Sequence, residues 1–138
     1  ERPDMVYLVL DEADVVLHNS AARPRLRVIH PSGGSSYAES YRPQKIVESY
    51  AGSDKPVCLL VGHYHKMGVY DIRDVLTLQA GCLERQTPFM RKLSLAARLG
   101  FWIVDLQFSP NGSLRRAKTE WFKYYLNEGK VLKDWVTT

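Results

Sequence analysis

A chain of 138 residues, 45% apolar and 25% charged, is one domain's worth of globular protein with enough apolar surface for a hydrophobic core. No apolar run reaches the roughly 20 residues of a membrane-spanning helix, and Glu1-Arg2-Pro3-Asp4 does not read as a signal peptide. The formal net charge of +4 gives a mild preference for anionic partners. Cys58 and Cys82 belong to no CxxC pair, so they are expected to be reduced, buried thiols in a cytoplasmic protein. Because the chain opens on Glu1 and not on Met, it is expected to be an excised piece of a longer protein.

Met5 to Leu10 reads as a buried strand, Asp11 to Asp14 as a turn, and Val15 to Leu17 as a short extension. Leu26 to Ile29, alternating with Arg25 and Arg27, predicts a second strand ending at His30-Pro31, followed by a Ser/Gly loop from Ser32 to Ser36. Pro43 suits the first residue of a helix, Ile46, Val47 and Tyr50 share one helical face, and Gly52 is a natural stop. Val57 to Val61 is apolar on both faces, the mark of an interior strand. Val75 to Leu78 predicts a strand closed by Gly81, Met90 to Leu99 a helix closed by Gly100, and Phe101 to Phe108 a further strand. Pro110-Asn111-Gly112 signals a turn, Leu114 to Tyr125 returns as an antiparallel strand, and Trp135 packs the tail down. The expected fold is one domain over residues 1–138, of α/β (α+β) class, with a terminal hairpin.

The chemistry-bearing segment is Val57-Cys58-Leu59-Leu60-Val61-Gly62-His63-Tyr64-His65. An interior strand runs into glycine and then into two histidines separated by one residue. If the backbone stays extended, His63 and His65 point to one side. They stand where a strand meets a loop, the usual place for a ligand in an open α/β sheet, and Gly62 leaves room for a close backbone approach. Neutral imidazoles there are good ligands for zinc, manganese or iron. His30 likewise follows an apolar strand, so three of the four histidines lie at strand ends, and His18 does not.

The order Val28-Ile29-His30, a helix, then Val61-Gly62-His63-Tyr64-His65 resembles the carboxyl-terminal half of the calcineurin-like metallophosphoesterases. His30 to Tyr37, Ser40 to Lys45, Gln79 to Cys82 and Gln86 to Pro88 are similar to the flanking text of that family, so the resemblance covers roughly residues 25–108. It implies part of a β-sandwich flanked by helices. It also implies a site of two divalent cations (Mn, Zn or Fe), with His30 and His63 on one cation and His65 on the other. Such a pair, about 3.5–4 Å apart, clamps a phosphate and serves hydrolysis of a phosphoester. Gly33 and Gly34 are either a backbone cradle for phosphate or a simple turn. The family's Asp-x-His, Gly-Asp-x-x-Asp and Gly-Asn-His-Asp/Glu motifs do not occur here, so a missing amino-terminal half or a partner chain is expected to complete the site.

The function so implied is metal-dependent hydrolysis of a phosphate ester, with a phosphodiester or nucleic acid favoured by the basic balance. The alternative is a non-catalytic module that binds nucleic acid or protein. In that reading Arg115, Arg116 and Lys118 would contact the nucleic acid. Trp121, Phe122, Tyr124 and Tyr125 either stack on bases there or cover the side of a sheet. Glu84 and Arg85 either lie near the site or, the commoner arrangement, form a surface ion pair.

Overall fold

Three parallel strands form the centre of one mixed sheet and bring two of the histidine-bearing segments side by side. A computed structural model describes residues 11–124, together with Pro3 and Tyr7. The elements are β1 (Glu12–Val16), β2 (Arg25–Ile29), α1 (Tyr41–Ser49), β3 (Cys58–Val61), β4 (Met67–Ile72), β5 (Val75–Ala80), α2 (Pro88–Lys92), β6 (Gly100–Phe108) and β7 (Leu114–Lys123). The five-stranded sheet has the order β1-β2-β3-β5-β4, and β6 pairs with β7 in a separate antiparallel hairpin. Strands β2, β3 and β5 run parallel, with β1 and β4 antiparallel at the two edges. The class is thus mixed α/β, mainly strands, and none of the described helices is long and apolar enough to cross a membrane. The expected strand over Met5 to Leu10, Tyr125 and the packing of Trp135 lie outside the described residues.

Strand β3 is interior because it is apolar on both sides. Cys58, Leu59 and Val61 are all buried, although Cys58 faces away from its neighbour Leu59. On one face, Ile29, Leu59, Val61 and Val75 meet Val47 of α1, with Ile46 and Tyr50 packed against them. Helix α1 begins at Tyr41, two residues ahead of Pro43, because a proline in the first turn still needs no hydrogen-bonded N–H.

The same face carries a charged cluster at the β1 edge. Arg27 is only 4% exposed. Its Nε and Nη2 donate to the Asp14 carboxylate at 2.8 and 2.9 Å, and Nη1 and Nη2 donate to Asp54 at 3.0 Å each. The guanidinium also lies 4.8 Å over the Tyr50 ring. Here the predicted turn over Asp11 to Asp14 is corrected: Glu12 to Val16 is a strand, because Asp14 faces Arg27 across the β1–β2 ladder and ion-pairs with it.

Two further departures have local causes. Strand β4, not predicted, returns to β5 through Arg73-Asp74, whose φ values of 51° and 64° are those of a two-residue type I′ hairpin turn made without glycine. Helix α2 stops at Lys92 and does not run on to Leu99. Ser94 takes φ 55°, Leu95 N–H donates to the Met90 carbonyl at 2.9 Å and Ser94 N–H to Arg91 at 3.0 Å, which together form a Schellman stop. Gly100 is then the first residue of β6.

The hairpin is tied to the sheet by Trp102, whose Nε1 donates to the Gln79 carbonyl at 2.9 Å, and by a bridge between Cys82 and Leu99. Trp121 packs tilted against Trp102, with ring centres 4.9 Å apart, and Phe122 stacks on Phe101 at 5.2 Å. Gly81 sits at φ +73°, and a Cβ there would run into the Trp121 ring.

Candidate functional site

His30 follows β2 directly, and His63 follows β3 after Gly62. Since Ile29 and Val61 are register partners and Gly62 N–H donates to the Ile29 carbonyl at 3.0 Å, parallel pairing carries both histidines to the same sheet edge. The extended backbone expected for Gly62 to His65 is not found. Tyr64 N–H donates to the Gly62 carbonyl at 2.8 Å, which closes a γ-turn with His63 at its apex, φ 71°. This is the rare, strained form of that turn, and His65 is also left-handed at φ 53°. Gly62 is not needed for close approach: a Cβ there would meet its nearest atoms at 3.5 and 3.7 Å, ordinary contacts.

The turn aims the His63 ring across the sheet edge. Its Nε2 lies 2.9 Å from the Gly33 carbonyl, and its Nδ1 lies 3.1 Å from His30 Nε2. A carbonyl only accepts, so Nε2 carries the hydrogen and Nδ1 presents its lone pair toward His30. A backbone carbonyl holding the far nitrogen is the usual support of a metal-ligating histidine. Two nitrogens bound at about 2.0–2.1 Å to one tetrahedral cation stand roughly 3.3 Å apart, so the His30–His63 separation fits a shared ion. His65 Nδ1 is buried and has no hydrogen-bond partner. It does not join the pair: among the described residues no three His, Cys, Asp or Glu side chains converge as a ligand group. The pair therefore suits one cation, and a second would draw on His65 with donors from elsewhere.

All three histidines line one cleft of about 580 Å³ with Gly33, Gly34 and Glu84. The Gly33–Gly34 loop makes its contacts through carbonyls: Gly33 to His63, and Gly34 to Arg42 Nε at 2.9 Å. Glu84, read from the sequence as near the site or as half of a surface pair, is the single carboxylate among the described lining residues, and Arg85 lines a different cavity. No salt bridge joins Glu84 and Arg85 among the described residues. What brings Glu84 in is the Cys82–Leu99 bridge and the short α2, neither of which has a sequence signature.

Arg115, Arg116 and Lys118 are exposed on β7, and Arg115 is the extra residue of a bulge opposite Gln107 and Phe108. Lys118 faces Asp105 across the hairpin, which offsets part of the basic charge. These residues lie toward the Gly112 turn, beside Ser20 and Pro24, whereas Trp121 at the other end of the strand reaches Gly81. Trp121 and Phe122 have ring partners within the hairpin, as a sheet-covering role requires.

Neither cysteine is in a disulfide. Burial pushes the Cys58 thiol up to about 11, so it is inert near neutrality. Cys82 is only half-buried, against expectation, and partial burial raises its thiol as well.

No family model, curated protein or solved structure matches the chain.

Proposed function

We propose that this chain is the carboxyl-terminal portion of a calcineurin-like, metal-dependent phosphoesterase that hydrolyses a phosphodiester. The observation that carries the reading is the pair of His30 Nε2 and His63 Nδ1 at 3.1 Å, with His63 held in one tautomer by the Gly33 carbonyl. In this reading His30 and His63 hold one divalent cation and His65 the other, with bridging carboxylates supplied by a further segment or a partner chain. The cations supply Lewis-acid polarisation of the phosphoryl group and a hydrolytic nucleophile at neutral pH. The chain's own contribution is positional. The γ-turn fixes the His63 ring, Gly33 fixes its proton, and the exposed Phe89 and Leu93 give the cleft an apolar wall. The strain at His63 and His65 supports the reading, because a backbone held in sparsely populated conformations is concentrated at working sites.

The test is manganese binding by calorimetry together with hydrolysis of bis(p-nitrophenyl) phosphate, on the parent and on His30→Ala and His63→Ala. Each substitution is expected to weaken manganese binding at least tenfold, with turnover falling in step wherever the parent turns over. Manganese binding indifferent to both substitutions would overturn the reading. Salt-sensitive nucleic-acid binding that survives His63→Ala and is lost on removing Arg115 and Arg116 would favour a binding module instead.

A further inference from the structure

We infer that the histidine cleft continues into an anion pocket built on Lys66 and Arg98, which takes a second phosphate group of the substrate. The inference rests on the proposed phosphoesterase site and names the class of molecule that fits it: an ester bearing two phosphate groups, as in a nucleoside bisphosphate or an oligonucleotide.

A second cavity of about 250 Å³ is lined by Lys66 and Arg98 with Ser36 and Ser94. Ser35, Tyr64 and Leu95 line both this cavity and the histidine cleft, so the two share a wall. Lys66 is the residue after His65, which places its Cα about 3.8 Å from that of a candidate ligand. It is half-buried, and its Nζ donates to the Ser36 carbonyl at 2.6 Å. That bond fixes the ammonium in the pocket and leaves two of its three N–H donors for another acceptor.

Arg98 approaches from a different segment. Its N–H donates to the His65 carbonyl at 2.8 Å, and its own carbonyl accepts from Cys82 N–H at 3.0 Å, so its backbone is locked to the histidine turn. The guanidinium is exposed and has no hydrogen bond or ion pair among the described residues. Two cations thus face one cavity. Glu39 is its only acidic lining residue, and no salt bridge joins it to Lys66 or Arg98 among the described residues. A guanidinium with five donors and an ammonium with two to spare, beside serine hydroxyls, is the chemistry that recognises a phosphate. The shared wall and the His65–Lys66 linkage make it a second phosphate of the same molecule.

The experiment compares thymidine 3′,5′-bisphosphate with thymidine 5′-monophosphate by calorimetry in manganese, on the parent, Lys66→Ala and Arg98→Ala. The parent is expected to bind the bisphosphate about tenfold more tightly, as one charge-assisted contact set gives. Either substitution is expected to bring the ratio close to one while leaving monophosphate affinity within about twofold. A parent without preference, or a preference that survives both substitutions, overturns the inference. Lys66→Ala also removes the tie to Ser36, so Arg98→Ala, which breaks no side-chain hydrogen bond or ion pair among the described residues, is the cleaner arm. Failure of the histidine site would show differently: affinity for the monophosphate would be indifferent to His63→Ala, while the ratio would still report on Lys66 and Arg98.

Discussion

Arg27, in the middle of strand β2, and His30, just past its end, have opposite fates. Arg27 is buried, doubly paired with Asp14 and Asp54, and capped by Tyr50, so its hydrogen-bonding capacity is spent inside the fold. Three residues on, His30 meets His63 across an open cleft, beside a strained turn and an orphaned His65 nitrogen. A polar group with its bonds saturated inside the fold serves architecture, whereas a strained turn that carries an unpartnered His65 nitrogen is free to serve a ligand. The difference lies in partners, since both residues are polar and both sit on one five-residue strand or at its tip.

Removing the saturated residue gives the largest expected effect. Arg27→Ala strands the Asp14 carboxylate beside a void, and we expect a loss of about 2–3 kcal/mol in urea unfolding, at the low side for a broken ion pair because both carboxylates keep solvent contact. His30→Ala should leave stability within about 0.5 kcal/mol, since its ring is exposed. Equal losses in the two variants would erase the distinction.

Next in size comes Gly81→Ala, which meets both a left-handed φ and the Trp121 ring and should cost roughly 2 kcal/mol. Gly62→Ala, in spite of its place in the histidine motif, should cost no more than about 0.5 kcal/mol. Melting temperatures of the two would separate a glycine needed for shape from one merely next to the chemistry.

A third comparison isolates the strain. Glycine accepts φ 71° and alanine does not, so His63→Gly should be more stable than His63→Ala by about 1 kcal/mol, with both equally deficient in manganese binding. If alanine matches glycine, the γ-turn is not strained.

The smallest effect is a pH dependence. The hydrogen bond from Arg27 holds the Asp14 carboxyl below its ordinary 3.8, against a smaller opposing effect of burial. A lowered acid binds fewer protons folded than unfolded, so its stabilisation is present above pH 3.8 and drains away as the pH falls below it. Discounted for partial exposure, the contribution is under about 1 kcal/mol. Asp14→Asn should flatten the acid limb of the stability curve between about pH 4 and 2, and an unchanged limb would show that Asp14 is not the group.

Much of this was legible in the residues. Strands β3, β5 and β6 announce themselves by apolar runs closed or opened by Gly or Pro, β2 by its alternation with arginine, β7 by the Pro110-Asn111-Gly112 turn before it, and α1 by Ile46, Val47 and Tyr50. Strand β1 was hidden because Glu12 and Asp14 look like turn residues until Arg27 is placed opposite them. Strand β4 was hidden because Arg73-Asp74 turns without glycine, and the end of α2 because Ser94, with a side chain, takes the conformation that usually marks Gly. His30 and His63 could be nominated from their places at strand ends, but the γ-turn depends on one backbone bond and no pattern encodes it. Glu84, Lys66 and Arg98 reach the cavities from separate loops, so only the assembled chain reveals them.

The parallel pairing of β2 with β3 has a kinetic consequence. His30 and His63 are 33 residues apart, and the helix between them must be folded back before the strands can meet. The β4–β5 and β6–β7 hairpins close over short turns and can form first. A chain at that stage would hold much of its strand content and yet no histidine pair, because the costlier loop closure still lies ahead. The approach of His30 to His63 during refolding would therefore lag behind the circular-dichroism signal of strands, and would time the moment at which the long-range topology locks.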